Sequence, residues 1–150
     1  MEIERKFAIF NFPDLKNASK SEISQWYISY EPEKRVRKID GVYLITEKSR
    51  GTLVREENEY VIDSDTALSL IASCGRKPVK KTRYRLPFGT HCAEIDIYRG
   101  ELEGLSVCEI EFESVTDAEG TALPEWLGEE LTERPEYRNA ALSRKINNEE

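Results

Sequence analysis

Glu2, Glu4 and Lys6 alternate with Ile3, Arg5 and Phe7 at the start of the chain. A strand points successive side chains to opposite faces, so this spacing puts two carboxylates and an ammonium on one face. The pattern returns at Arg35-Val36-Arg37, Lys81-Thr82-Arg83-Tyr84-Arg85, Glu94-Ile95-Asp96 and Glu109-Ile110-Glu111-Phe112-Glu113. Positions of matching parity give a cationic set of Lys6, Arg35, Arg37, Lys48, Arg55, Lys81, Arg83 and Arg85. The anionic set is Glu2, Glu4, Glu57, Glu59, Glu94, Asp96, Glu109, Glu111 and Glu113. Arginine forks bind phosphate oxygens in pairs and lysines bind them as point charges. Clustered carboxylates without histidine favour hard cations such as Mg²⁺ or Mn²⁺. Near balance of the two signs is what a charged cavity needs if desolvation is not to be ruinous. Together these are the parts of a phosphoryl-transfer site. The same alternation also fits a sheet that shows one charged face to water. No GxxxxGK[ST] loop is present, and a nucleophilic triad would have to use His91, the single histidine.

The elements that must position these residues read as a run of strands. They are Glu2 to Asn11, Gln25 to Tyr30, Lys34 to Ile39, Val42 to Lys48, Thr52 to Ile62, Lys77 to Pro87, Cys92 to Tyr98 and Ser106 to Ser114. Asp40-Gly41 is a hairpin signal of the I′ type. Ser19 and Glu22 have capping-box spacing and predict a short helix after the first strand. Asp63 to Asp65 can cap a helix over Ala67 to Ser73, which Gly75 ends. Further helices are expected near Asp117 to Leu127 and from Tyr137 to about Ile146. Gly89 and Thr90 place His91 beside a hairpin turn. Ile3, Phe7, Ile95, Ile97, Ile110 and Phe112 lie opposite the charges and need an apolar cover. Leu68, Leu70 and Ile71, with Leu123, Trp126, Leu127 and Leu131, can supply it. The order implies an α+β architecture built on an antiparallel sheet, open or closed into a barrel.

At 150 residues the chain fits one domain with a core of its own. Its net charge of −7 argues against a general nucleic-acid binder. No apolar run approaches a membrane span, and the opening charged residues show no signal peptide. Cys74, Cys92 and Cys108 lack CxxC spacing, which fits reduced thiols and a cytoplasmic location rather than zinc.

Glu2-Ile3-Glu4-Arg5-Lys6-Phe7 resembles the ExExK signature of the CYTH family, also called triphosphate tunnel metalloenzymes. The likeness continues through Lys34-Arg35-Val36-Arg37, Tyr43 to Lys48, Arg55 to Glu59 and Lys81-Thr82-Arg83-Tyr84. It extends over Glu94 to Gly100, Gly104-Leu105, Cys108 to Glu113, Pro124 to Leu127 and Tyr137-Arg138-Asn139. The resemblance implies a closed eight-stranded antiparallel barrel, flanked by helices, whose charged interior holds a triphosphate with Mg²⁺ or Mn²⁺. The short bacterial members it is most similar to imply hydrolysis of inorganic tripolyphosphate to pyrophosphate and phosphate. Alternatives are a class IV-type adenylyl cyclase, a nucleoside or thiamine triphosphatase, and a non-catalytic polyphosphate-binding module. Lys6, Arg35, Arg37 and Lys48 are the expected catalytic residues, and with Arg55, Lys81, Arg83 and Arg85 they would hold the phosphates. Glu2, Glu4, Glu109 and Glu111, with Glu57 and Asp96, are the expected metal ligands. The partner would be a small triphosphate, with neither nucleic acid nor membrane, in a monomer or homodimer. Trp26 stands where many members carry glycine, so its ring either narrows an opening or packs outside.

Overall fold

The computed structural model describes residues 3–48 and 57–149, so Glu2 and Arg55 lie outside the described residues. One antiparallel sheet dominates it. The strands are β1 (Ile3–Ile9), β2 (Ser19–Ser29), β3 (Lys34–Ile39), β4 (Val42–Lys48) and β5 (Glu57–Ile62). They continue as β6 (Val79–Phe88), β7 (His91–Arg99), β8 (Ser106–Phe112) and β9 (Leu127–Glu130). The helices are α1 (Ser64–Cys74), α2 (Val115–Gly120) and α3 (Asn139–Ile146), with 3-10 turns at Gly100–Leu102 and Pro135–Tyr137.

Spatial order is β5-β4-β3-β2-β6-β7-β8-β1-β9. Among the described residues nine strands are present rather than eight, and β5 does not pair with β9. The expected closed barrel is therefore corrected to an open sheet. Alternation of charge specifies a charged face equally well in both, because it reports only parity.

Two local expectations also change. The capping-box spacing at Ser19 and Glu22 does not start a helix; Ser19 to Gln25 pair in register with Arg85 to Val79 of β6. Ser21, Ile23, Gln25 and Tyr27 keep period two, and long-range pairing overrides the local helix signal. The helix expected to Leu127 stops at Gly120, and Leu127–Glu130 instead form β9 along the edge of β1. Gly120 and Pro124 interrupt the helix, and β9 covers backbone groups that an edge strand would expose. Asp40 and Gly41 have φ of 48° and 88°, the two positive values of a I′ turn. Asp63 caps α1 by accepting from the Thr66 backbone N–H at 2.7 Å, and Gly75 ends it at φ 65°.

The outer face is apolar in two patches. Phe7, Ile95, Ile110 and Phe112 are buried beneath Ala118, Leu123, Trp126 and Leu127. Burial of each large side chain contributes about 1.5–3 kcal/mol. Val36 and Ile45 pack under Ala67, Leu70 and Ile71 of α1, while Leu68 faces solvent. Trp26 packs with this second patch, so its ring sits outside the sheet, away from Gln25 and Tyr27 on the charged face. The opposite face is apolar only at one end. There Leu142 and Ile146 of α3 meet Val79, Tyr98, Val107 and Leu131. Glu149 fastens the far end of α3: its carboxylate accepts from Arg76 Nε at 3.0 Å and from the Tyr30 hydroxyl at 2.8 Å. No helix among the described residues is long and apolar enough to cross a membrane.

Candidate active site

The uncovered part of the inner face carries the charges, and their order across the sheet follows from register. Glu4 stands opposite Glu111, Lys6 opposite Glu109, and Glu94 opposite Glu109. Arg83 and Arg85 of β6 stand opposite Asp96 and Glu94 of β7. On the other side of β2, Arg35 and Arg37 of β3 stand opposite Thr46 and Leu44 of β4, and Glu59 stands opposite Thr46. Carboxylates thus gather on β7, β8 and β1, and guanidiniums gather on β3 and β6.

The acidic end lines a cavity of about 700 Å³ whose wall includes Glu4, Glu94, Glu109, Glu111, Cys92 and Arg85. Like charges placed directly opposite each other on neighbouring strands repel. Glu4 records the effect. Its residue surface is exposed, yet its carboxyl group is partly shielded from water. Loss of water around it, then the charge and hydrogen bond of Glu109, then Glu111 and Glu94, push its pKa up to about 7. Glu94 is drawn to Arg85 at 3.0 Å, while Lys6 Nζ lies 4.0 Å from Glu109 and donates to the Tyr137 carbonyl at 2.9 Å.

This cluster of carboxylates, one of them with its pKa pushed up by burial and by its acidic neighbours, fits a hard divalent cation. Among the described residues no three such side chains are gathered tightly enough to form a ready-made cage. They are neighbours on one face.

A stability test follows from the sign of the Glu4 shift. Its folded pKa lies above its ordinary value of 4.5, so the folded state binds the extra proton between about 4.5 and 7. That contribution is full below 4.5 and is lost as pH rises through 7. In EDTA, the melting temperature of the wild type is expected to fall from pH 5 to pH 8 relative to Glu4→Gln. Added Mg²⁺ should restore more at pH 8 than at pH 5. Parallel profiles for the two proteins would mean that Glu4 feels no such crowding.

The basic side is arranged differently. Arg37 donates to Glu59 at 2.6 Å, and Arg35 reaches Gln25 Oε1 at 3.4 Å. Lys48 Nζ lies 3.1 Å from Glu33. Among the described residues the buried Nε atoms of Arg35 and Arg37 have no hydrogen-bond partner, with Glu33 3.9 Å from that of Arg35. Unmet guanidinium donors on a charged face suit an anion.

Between the two groups Lys81 and Asp96 are buried, 3% and 5% exposed. Asp96 accepts from Arg83 Nε at 2.8 Å and Arg83 Nη2 at 3.0 Å, and Lys81 Nζ is 3.0 Å away. Burial alone would raise the Asp96 pKa, but Lys81 and Arg83 outweigh it and hold it below the ordinary carboxylate range. Both oxygens of Asp96 are thus engaged by cations. Glu57 is exposed on β5, at the far side of the sheet from the acidic cavity.

Glu33, Gln25 and Tyr27 were not singled out in the sequence, and Glu94, a member of the anionic set, was not among the expected metal ligands. Glu94 belongs to the acidic cavity, and its register partner Glu109 was the available signal. Glu33, which holds Lys48 and approaches Arg35 at 3.9 Å, lies in a turn outside the alternating pattern. Gln25 and Tyr27 are almost fully buried on the charged face, at 1% exposure each, and read in sequence as ordinary strand residues. His91 Nε2 sits 3.0 Å from both Asp117 oxygens, between Phe88 and Phe112, and fastens the β6–β7 hairpin to α2.

No family model matches the chain. Among curated proteins, an inorganic triphosphatase of Nitrosomonas europaea is 37% identical, covering 97% of this chain and 98% of the relative. An inorganic triphosphatase of Acetivibrio thermocellus is 34% identical, covering 94% and 92% respectively. The crystal structure of an inorganic triphosphatase superposes with a TM-score of 0.77 at 33% identity, covering 95% of this chain and 94% of that one.

Proposed function

The chain belongs to the CYTH, or triphosphate tunnel metalloenzyme, family, and from that premise we propose that it hydrolyses inorganic tripolyphosphate to pyrophosphate and phosphate. The observation that carries the reading is the division of one sheet face into a carboxylate cluster and two arginine groups, with the buried Nε atoms of Arg35 and Arg37 making no hydrogen bond among the described residues. Arg35, Arg37 and Lys48, with Arg83 and Arg85 across β2, hold the phosphate chain and offset charge on the leaving group. Lys6, fixed by the Tyr137 carbonyl near Glu109, adds a positive charge beside the carboxylate cluster. Arg55 completes the set by its place in the family pattern.

Glu4, Glu109 and Glu111, with Glu2, would hold Mg²⁺ or Mn²⁺, which when bound supplies Lewis-acid stabilisation of phosphate oxygens. Glu94 extends that cluster. Asp96 serves instead as counter-ion to Lys81 and Arg83, whose positions it fixes.

The test is phosphate release from tripolyphosphate with Mg²⁺, with Mn²⁺ and with EDTA, run beside ATP. Metal-dependent release from tripolyphosphate is expected, with little from ATP and none in EDTA. Inactivity in every metal would overturn the reading. Cyclic AMP from ATP, thiamine triphosphate hydrolysis or binding without turnover would then be the assays to run.

A further inference from the structure

The outer face of the sheet carries a second set of cations that the reaction does not use. Lys38 of β3 and Lys80 of β6 both stand opposite Ser24 of β2, and Arg99 of β7 stands opposite Lys80. The three cations therefore occupy one row across four neighbouring strands. Strand spacing puts Lys80 and Arg99 about 5 Å apart at the backbone and Lys38 about 10 Å from Lys80. All three are exposed, and their parity places them opposite the catalytic face.

Their surroundings are unusual for this molecule. Arg99 Nε donates to the Thr82 hydroxyl at 3.2 Å, and Lys38 Nζ lies 5.4 Å from the centre of the Tyr43 ring. Among the described residues no ion pair joins any of the three to a carboxylate, although acids outnumber bases by 29 to 22. Like charges facing each other in register cost stability unless an anion joins them. The row also lies in the strip of outer face between the patch under α1 and the patch under α2, where no apolar cover reaches. Two adjoining cavities of about 460 and 490 Å³ both have Lys80 and Arg99 in their walls.

We infer that this strip is a second anion site, separate from the catalytic face, that binds a short oligophosphate such as pyrophosphate. Lys80 and Arg99 grip one phosphate and Lys38 the next. The length is bounded by acids: Glu22 and Asp40 border one cavity and Glu101 the other. A nucleic-acid backbone running past the row would meet those carboxylates, whereas two or three phosphates end before them. The inference does not depend on the chain being a triphosphatase, since it concerns binding on the other face.

The test is calorimetric titration of pyrophosphate in EDTA at low salt, comparing the wild type with K38Q/K80Q/R99Q. The triple variant is expected to bind one pyrophosphate fewer, with the lost site weakening steeply as salt is added. Its initial rate on tripolyphosphate should be unchanged. Lys80→Gln alone, which removes the central charge, should weaken the same site at least several-fold and guards against misfolding of the triple variant. An unchanged number of bound pyrophosphates in both variants would overturn the inference. So would loss in the triple variant of affinity for a short single-stranded oligonucleotide with pyrophosphate binding intact, because the row would then read a longer polyanion. Failure of the triphosphatase assay would leave this titration interpretable.

Discussion

Replacing Glu109 with Gln is expected to lower tripolyphosphate turnover by on the order of 10²–10³-fold while making the metal-free protein more stable at pH 8. The two effects have one cause. Glu109 stands opposite both Glu94 and Lys6, and it is the largest charged influence on Glu4. Removing its charge relieves repulsion in the empty cluster and takes away a proposed metal ligand. Sites commonly carry such a stability cost for function. Turnover with and without added Mg²⁺, and melting in EDTA at pH 8, measure the pair of effects. A variant that is fully active and less stable would show that Glu109 is merely Lys6's ion-pair partner.

Asp96→Ala should lose about 3–5 kcal/mol of stability, the range for breaking a buried ion pair on one side. Lys81 would lose its counter-ion in a site only 3% exposed, and Arg83 would lose the two oxygens it donates to, keeping Glu94 at 3.6 Å. A small domain has about 5–15 kcal/mol in all, so the loss is a large share. The shift in urea midpoint measures it. Arg85→Ala is the contrast: its side chain is 59% exposed, and its link to Glu94 is a surface ion pair of little structural weight. Equal midpoints for Asp96→Ala and Arg85→Ala would show that the buried cluster does not hold the sheet together.

What the sequence made legible was parity. Glu4, Lys6, Arg35, Arg37, Lys81, Arg83, Glu109 and Glu111 stand at alternating positions of their strands, and one face is the consequence. Register was not legible, because it depends on which strands meet. Glu94 joins the acidic cluster only because β7 aligns it with Glu109. Asp96 has the same parity but is aligned with Arg83, and it is filled by cations. Closure was hidden for the same reason: alternation is identical in an open and a closed sheet. The helix expected at Ser19 failed because a four-residue capping signal is weak beside the ladder that β6 offers. Glu33 was invisible because turns carry no period.

β1 lies between β8 and β9, so it pairs only with strands that follow it far along the chain. Local contacts form early in folding and distant ones late. On the ribosome, Glu4 and Lys6 must therefore wait, unpaired, until Glu109, Glu111 and the Leu127–Glu130 segment have been synthesised. A nascent or C-terminally truncated chain lacking β8 has neither the acidic cavity nor a partner for its N-terminal strand. The waiting strand ends in Phe7 and Ile9, followed by Phe10 and Phe12, a short apolar stretch suited to chaperone capture. Synthesis of β8 and β9 is thus the event that creates the site.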